Sequence, residues 1–311
     1  MTKNLELKLI EIFCFTDDFC KTFEEEIEQK LIPTELRNTK AKVPCGLSMS
    51  EMMTIEIFYH LQGSKCFKYY YVYFVEKHLK GYFPGLVSYN RFVQIKPRMF
   101  LYLFCFLLAF KAARKTGTYY VDSAKLAVCH NLRIHSHRVF KGLAQRGKTS
   151  TGWFYGLKLH LVINEQGEVI SFIITPGNVA DNDFQLGVRL CRGLCGRIFG
   201  DKGYISSKLQ ATLLEQNLLL VTKVKRNMKN RLMHINDKLM LGKRGVIESV
   251  IDILKNIGDI EHTRHRSPAN AFVNVLGGLL AYSFLDKKPS VKNPHFSLRD
   301  CLSANNLFIA A

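Results

Sequence analysis

Three carboxylates occur in this sequence at positions where packing alone gives no reason for an acid. Asp122 follows a run of β-forming residues, and Asp201 follows a second strand-like run, residues 197–200. Glu248 lies in a later helical pattern of apolar residues. Two Asp at strand ends and one Glu on a helix can converge on one point, where their hard oxygen ligands suit Mg²⁺. Two such ions clamp the attacking and leaving oxygens of a displacement at phosphorus, so the pattern indicates metal-dependent phosphoryl chemistry.

Short motifs surround these carboxylates in a fixed order. They are Asp122-Ser123, Gly200-Asp201-Lys202-Gly203-Tyr204 and Arg244-x3-Glu248-x6-Lys255. An isolated Asp-Ser carries no information, but three motifs in order within one α/β pattern are specific. Over roughly residues 116 to 285, the chain resembles the DDE transposases of bacterial insertion sequences. It is most similar to the branch with a short, uninterrupted interval between the second Asp and the Glu. The third motif of the family usually opens with a Tyr, where this chain has Leu241.

The resemblance implies a fold, a reaction and partners. The fold class is α/β, with an RNase H-like mixed five-stranded sheet flanked by helices and an N-terminal all-helical domain. Asp122, Asp201 and Glu248 would be the catalytic residues and the ligands of Mg²⁺, for which Mn²⁺ can substitute. Water would attack a DNA phosphodiester, and the freed 3′-hydroxyl would then attack target DNA. A homodimer or higher oligomer would bind the terminal inverted repeats of the element and the target DNA.

The charge balance independently favours a polyanionic partner. The formal net charge is +18, from 44 Lys and Arg against 26 Asp and Glu. Neutralisation of phosphates by Lys and Arg drives non-specific binding to nucleic acids. The alternative is a basic protein that is merely soluble. However, the acids are partly concentrated between Asp17 and Glu28, so the remaining chain is more basic than the average. The composition therefore predicts DNA as the partner.

The cysteines and the apolar runs predict where the protein is found. Nine scattered Cys without a CxxC pair or a secretory signal predict reduced thiols in a cytosol. Together with the resemblance, this implies a cytoplasmic, nucleoid-associated bacterial protein. The longest apolar run, residues 99–110, is too short to span a bilayer, which predicts a buried core helix and no membrane partner. The cluster of Cys129 with His130, His135 and His137 does not have the spacing of common structural zinc sites.

The periodicity of the apolar residues divides the chain into three parts. Residues 1–115 have helical periodicity and predict a domain that binds the DNA ends, although helical spacing alone identifies no recognition helix. In this part, Ser48 to Glu51 predicts a capping box, and Ser88 predicts a second helix cap. Residues 116–288 alternate strand-like and helical runs, as expected of an α/β catalytic domain. Residues 289–311 predict a loose tail.

The α/β part has a predicted order of elements that delivers the carboxylates. The first strand is expected to end at Asp122, and a basic connector follows over residues 129–150. The next elements are strands over 153–163 and 169–175, joined by a hairpin turn over 164–167. They are followed by a helix over 181–194 with Asp183 in its first turn, a strand over 197–201, a helix over 206–216 and a strand over 218–223. A basic stretch over 223–243 then precedes the helix of Glu248, and an apolar helix over 269–284 follows.

Cations near the carboxylates are predicted to hold DNA phosphates. Arg244 and Lys255 share a helical face with Glu248, although a surface ion-pair ladder is the alternative. Lys158 and His160 alternate along one strand and face one side of the sheet, although a satisfied core histidine is the favoured interpretation of His160. The connector contributes Arg133, Arg138, Lys141, Arg146 and Lys148. The stretch before Glu248 contributes Lys223, Lys225, Arg226, Lys229 and Arg231.

Two further polar residues are predicted to support the site without binding the metal. Asn178 and Asp181 lie in Thr175-Pro176-Gly177-Asn178-Val179-Ala180-Asp181, which resembles another stretch found in these transposases. Capping of the following helix would explain both residues without any role in catalysis.

Three functions remain as hypotheses from the sequence. The first is a transposase that cleaves DNA and joins the ends of its own insertion sequence to a target. The second is a metal-dependent nuclease of the same fold that does not transfer strands. The third is a non-catalytic DNA-binding protein derived from a transposase. The three carboxylates argue against the third hypothesis, because a protein that only binds DNA has no use for clustered acids facing a phosphate backbone.

Overall fold

The computed structural model describes residues 3–31, 46–110, 113–150, 152–224, 228, 232–292 and 308–310. The chain divides into two compact units. The helical unit consists of residues 1–112, 254–260 and 265–285. The sheet unit consists of residues 113–253, 261–264 and 286–311. The domain boundaries expected after residues 115 and 288 stay predictions.

The helical unit is built around a helix that is buried on most sides. Its helices are α1 (Lys3–Leu31), α2 (Met49–Leu61), α3 (Phe67–Tyr69), α4 (Tyr89–Ile95), α5 (Met99–Cys105) and α10 (Pro268–Ser283). α3 continues as a π-helix over Tyr70–Leu79, and α5 continues as another over Phe106–Phe110. Every residue of α2 from Met52 to His60 is buried. A helix that is buried all round forms the centre of a bundle, and α2 has this position in the helical unit.

The helix starts predicted in this unit are confirmed. The Ser48 side chain accepts a hydrogen bond from the Glu51 amide at 3.1 Å, and the Glu51 carboxylate accepts one from the Ser48 amide at 2.6 Å. This is the capping box, which satisfies two backbone donors that the helix itself leaves unpaired. Ser88 caps α4 in the simpler way, by accepting from the Arg91 amide.

One run, Tyr89–Ala109, has the length and apolar composition of a membrane-spanning helix within the part of the chain that the structure describes. Core helices of soluble proteins meet the same two criteria. Only 39% of its most apolar window is buried. Phe92, Met99 and Leu103 pack inside the helical unit, whereas Leu101 and Leu108 are about half exposed. The sequence predicted a buried core helix over residues 99–110, and the structure buries this run on one side only.

The sheet unit contains a mixed sheet, as predicted. Its strands are β1 (Thr118–Cys129), β2 (Gln145–Thr149), β3 (Gly152–Asn164), β4 (Val169–Pro176), β5 (Gly196–Gly200) and β6 (Leu218–Thr222). β2 and β4 both pair with β3, and β1, β5 and β6 follow in that order on its other side. The pairs of β3 with β1, β2 and β4 are antiparallel, and the pairs of β5 with β1 and β6 are parallel. β7 (Leu232–His234) pairs separately with β8 (Phe308–Ala310).

Two details of the sheet differ from the predictions. β1 does not end at Asp122 but continues to Cys129, because Ala124, Leu126 and Val128 alternate inward and remain buried beyond it. Residues 145–149 of the basic connector form β2, so the main sheet has six strands in the described residues instead of five. The β3–β4 turn is as predicted, since Asn164 Oδ1 accepts from the Gln166 and Glu168 amides.

The helices of the sheet unit fix which side of β1 carries the site. They are α6 (Phe184–Leu190), α7 (Ser207–Glu215), α8 (Ile235–Gly242) and α9 (Gly245–Asn256). Leu190 and Leu213 of α6 and α7 pack with Tyr119 and Val121 of β1 in one buried cluster. Successive residues of a strand point to opposite faces, so Tyr120 and Asp122 face the other way. The Tyr120 hydroxyl donates to the Met240 carbonyl of α8 on that face.

Candidate active site

The first two carboxylates are brought together by parallel pairing of β1 and β5. β5 pairs with β1 only from Thr118 to Tyr120 and ends at Gly200. β1 runs on past the end of β5, so Asp122 lies just beyond the paired segment and Asp201 just after β5. The carboxyl ends of neighbouring parallel strands meet at one edge of a sheet, and open α/β sheets bind ligands there. The parallel pairing of β1 with β5 therefore places the two acids at the same edge of the sheet.

Arg244 joins the third carboxylate to this edge. Arg244 precedes α9, and Glu248 lies in the first turn of that helix. The guanidinium Nη1 donates to Asp122 Oδ2 at 3.2 Å, and Nη2 donates to Glu248 Oε1 at 3.0 Å. Nη2 also lies 3.9 Å from Asp201 Oδ1. One guanidinium thus lies within ion-pair distance of all three predicted ligands.

The carboxyl of Asp122 has a raised pKa. Burial raises the pKa of this carboxyl from 3.8 to about 6, and the charges of Asp201 and Glu248 act in the same direction. The Ser123 amide, which donates to Asp122 Oδ1 at 2.8 Å, and the Arg244 charge both oppose the rise. Three carboxylates thus share one guanidinium, and the ionised cluster favours additional positive charge.

The donor set fits a hard divalent cation, although Arg244 lies between the three carboxylates. Among the residues that the structure describes, no group of three or more His, Cys, Asp or Glu side chains is arranged for a metal ion. The side chains of Asp201 and Glu248 are 54% and 60% exposed, so both can turn towards a bound ion. Oxygen ligands of this kind hold Mg²⁺ together with waters and substrate phosphates.

The two polar residues of β3 are engaged inside the protein. The Lys158 side chain is 9% exposed, and its ammonium group donates to the Val179 carbonyl at 2.8 Å and to Asp181 Oδ1 at 3.1 Å. His160 is fully buried and hydrogen-bonds Thr175 Oγ1 through Nε2 at 3.0 Å. Burial lowers the pKa of His160 to about 4, despite the charge of Asp181. In this structure neither side chain reaches a surface that DNA could contact.

Asp181 connects these β3 residues with the second motif. Its carboxylate pairs with Lys158, and its side chain lies near Gly203, where a Cβ would meet Asp181 Oδ2 at 3.5 Å. Asp183 caps α6 by accepting from the Leu186 amide at 2.8 Å, so the capping explanation for Asp181 is wrong. It is wrong for Asn178 too, which is exposed in the loop after β4.

The predicted phosphate-binding cations lie in several places. Arg133, Arg138, Lys141, Arg146, Lys148 and Lys223 are exposed in the sheet unit. Lys255 is half-buried in the last turn of α9 and belongs to the helical unit. Lys225, Arg226, Lys229 and Arg231 lie outside the described residues. The connector cations are therefore available to a ligand at the surface of the sheet unit.

Two residues near this unit's surface and core had no predicted role. Tyr204 of the second motif is buried, and burial followed by the charges of Asp181 and Asp122 raises its pKa well above 10. Its place in the Gly200–Tyr204 motif was the signal that sequence reasoning could have used. Trp153, the single tryptophan, is 63% exposed at the start of β3. Its exposure had no signal in the sequence.

The fold and the site together define a class of protein. It is an α/β protein with carboxylates at the carboxyl ends of two parallel strands in a mixed sheet. A model of the transposase DDE domain matches residues 112–268, just over half of the 311 residues. The chain belongs to this family of transposases. Transposases of this family generally use divalent metal ions. The resemblance seen in the motifs is confirmed.

Comparisons with other proteins add little beyond the family. No curated protein sequence matches the chain. Among solved structures, the cryo-EM structure of a piggyBac transposase synaptic complex with hairpin DNA is similar to this chain. The identity is 12% and the TM-score is 0.45, over 90% of this chain and 73% of that one. The sequence match therefore carries the family assignment.

Proposed function

We propose that the chain catalyses metal-dependent cleavage of DNA and strand transfer of its own insertion sequence. The observation that carries this proposal is the approach of Asp122, Asp201 and Glu248 to one guanidinium. Three acids from β1, the end of β5 and α9 meet at a single point in a chain of the DDE family. The bacterial origin, the inverted repeats and target DNA as ligands, and a dimer or higher oligomer on DNA are parts of the same proposal. So is a cytoplasmic location.

The three carboxylates would hold Mg²⁺, with Mn²⁺ as a substitute. When bound, such ions activate the attacking oxygen and stabilise the charge that develops on the phosphate. Asp122 would be the fixed ligand, because it is the least exposed of the three and its Oδ1 already accepts from the Ser123 amide. Asp201 and Glu248 are more exposed and would adjust to the ion.

Arg244 would exchange its partners when substrate binds. Its guanidinium now neutralises acids, and a phosphate is an equally good bidentate partner for Arg. An arriving scissile phosphate would draw the guanidinium away from Asp122 and Glu248 and leave both for the ion. Lys255 and the connector cations would hold more distant phosphates.

The second motif would be positioned by three residues that do not bind the ion, Lys158, His160 and Asp181. Lys158 ties Asp181 to the Val179 carbonyl, which fixes the loop next to Gly203 of the second motif. In this role they position the motif and do not contact DNA. Asn178, exposed in the same loop, stays a proposed supporting residue.

The N-terminal helices would recognise the ends of the element. Two other functions stay open as alternatives, a nuclease without strand transfer and a transposase-derived protein that only binds DNA. The carboxylate cluster disfavours the second, because acids facing a phosphate backbone weaken binding unless a cation lies between them.

The test uses the full-length chain, the DNA that flanks its coding region and a target plasmid. With Mg²⁺, a transposase gives cleavage at the element ends and joined products in the plasmid, and EDTA suppresses both. Cleaved ends without joined products would support the nuclease. Binding without cleavage, in Mg²⁺ or Mn²⁺, would support the non-catalytic protein and overturn the proposal.

A further inference from the structure

A second surface of the sheet unit lies at the other end of β3 from the carboxylates. Trp153 is 63% exposed, an unusual state for the largest apolar side chain. The Asn131 side-chain amide donates to the Trp153 carbonyl at 2.9 Å, which holds the backbone of this residue in place. A cavity of about 320 Å³ adjoins the residue, lined by Asn131, Ile134, Arg146, Trp153 and Phe154. The ring is therefore presented on a fixed strand beside an open space.

Cations surround this ring. Lys148 pairs with Trp153 across the β2–β3 ladder, and its Nζ lies 5.6 Å from the centre of the ring. Arg146 pairs with Tyr155 two residues further along the same strands. In the sequence, no Asp or Glu occurs between Asp122 and Glu165. The strands and the connector of this region therefore bring positive charge and no acid of their own, which suits a polyanion.

The register places Trp153 on the same face of the sheet as Asp122. Residues paired across an antiparallel ladder share a face, and Asp122 pairs with Leu161. β3 alternates without a bulge from Leu161 back to Trp153, an even number of residues. The separation along the strand is about 26 Å, which corresponds to roughly eight steps of a DNA strand. A DNA strand of about eight steps therefore spans the distance between the two places.

We propose that Trp153, with Lys148 and Arg146, binds an unpaired nucleobase of the DNA on which the carboxylates act. This inference rests on the proposed function. An exposed ring within a basic surface offers a stacking face to a base and cations to its phosphates. Bases within a duplex already stack on both sides, so the ring selects an unpaired base over duplex DNA. The site is one strand length from the carboxylates and takes no part in the chemistry.

The test uses the fluorescence of the full-length protein without metal, because Trp153 is its single tryptophan. Three duplexes of about 20 base pairs are titrated. The first has one unpaired base about eight steps from an end, the second has an abasic residue in its place, and the third is fully paired. We expect the unpaired base to quench the Trp153 emission and to bind about 5- to 150-fold more tightly than the abasic duplex.

Matched variants assign the effect to the ring. Trp153→Ala, measured with labelled DNA, should lose the preference for the unpaired base, and Trp153→Phe should retain part of it. Lys148→Gln should weaken binding to all three duplexes alike. Leu132→Ala removes another apolar side chain near this site, 88% exposed, and should change nothing. If Trp153→Ala does not fold, the quenching of the unchanged protein and the Lys148→Gln variant still decide.

Several outcomes overturn the proposal. Equal binding of the three duplexes without quenching removes the stacking site and leaves the proposed function intact. Binding to none of them overturns the stacking site, and the cleavage test with the DNA that flanks the coding region then decides the proposed function. A base preference that persists in Trp153→Ala, or that Leu132→Ala also removes, places the base elsewhere or makes the contact merely apolar. A DNA-free oligomer that Trp153→Ala dissociates shows that the ring instead contacts a second copy of the chain.

Discussion

Two clusters of charged side chains, one taken from each unit, differ in the balance of acids and cations. In the helical unit, Glu56 is fully buried, with Lys96 Nζ 2.6 Å and His60 Nε2 3.7 Å from its Oε1. In the sheet unit, three carboxylates share one guanidinium. The first cluster has one acid for one permanent cation, and the second has three. Charge stoichiometry distinguishes a structural cluster from one that is prepared for a ligand.

The pKa values of the two central acids show the same difference. Burial alone would raise the pKa of Glu56, but the charge of Lys96 and the neighbouring His60 lower it below 4.5. Burial raises the pKa of Asp122 to about 6, and Arg244 does not offset it. His60 Nδ1 also contacts the Gly258 carbonyl, and Lys96 Nζ lies 4.3 Å from the centre of the Phe67 ring. The charge of Glu56 is balanced within the fold by Lys96, whereas the three carboxylates around Arg244 are balanced only by adding a cation.

The largest expected effect is on catalysis. Asp122→Asn, Asp201→Asn and Glu248→Gln each remove charge without volume and should reduce Mg²⁺-dependent cleavage by more than about 100-fold. Loss of a group that only supports a metal ligand already costs about 10–100-fold. Cleavage of labelled end DNA measures this, and circular dichroism checks the fold. A single variant that cleaves at the wild-type rate would show that its residue is not a ligand.

Breaking the buried cluster should instead reduce stability. Glu56→Gln leaves the Lys96 charge buried without an acid and should lower the free energy of unfolding by about 3–5 kcal/mol. The matched control is Glu11→Gln, which breaks the partly exposed pair with Lys8 on α1 and should cost less than about 1 kcal/mol. Urea unfolding measures both. Equal losses in the two variants would contradict a structural role for Glu56.

Removing a charge from the three carboxylates around Arg244 should instead raise the free energy of unfolding. Because its pKa is raised from 3.8 to about 6, the contribution of Asp122 to stability is complete below about pH 4 and is lost as the pH rises through 6. At pH 7 without metal, Asp122→Asn should therefore be more stable than the wild type by up to about 3 kcal/mol. The difference should disappear near pH 4.

Metal and control measurements sharpen this prediction. Mg²⁺ should raise the melting temperature of the wild type but not of Asp122→Asn, because the ion binds the native state through this carboxylate. Glu215→Gln, at the exposed end of α7, should leave stability unchanged at both pH values. A destabilised Asp122→Asn at pH 7 would show that Arg244 compensates the cluster after all.

The smallest expected effect is on the salt dependence of DNA binding. Replacing Arg133, Arg138 and Lys141 with Gln should weaken binding to every duplex and reduce the slope of log affinity against log salt by about 0.9 per lost phosphate contact. The control is Lys21→Gln, which removes a cation that is already paired with Asp17 on α1 and should leave the slope unchanged. A folded triple variant with an unchanged slope would mean that these cations only solvate the connector.

The local elements followed from the sequence because their causes are local. The helix starts at Ser48 and Ser88 depend on side chains within three residues, and the β3–β4 turn depends on Asn164 and Gly167. The three acids were recognised because their motifs keep a fixed order. The extension of β1 beyond Asp122 was missed because the strand was expected to end at this carboxylate, although Ala124, Leu126 and Val128 continue the inward alternation.

The sequence by itself determined the family and the fold class, and it predicted the three acids. Tertiary structure decided what surrounds them. Spacing put Lys158 and His160 on one face of a strand, but only packing against the loop of Asp181 shows that this face is buried. Similarly, nothing in the sequence distinguishes Glu56 from other polar residues of a helix, and only its contact with Lys96 shows that it belongs to a buried ion pair. Burial and long-range pairing set the energy of a charge, and neither is a property of neighbouring residues in the chain.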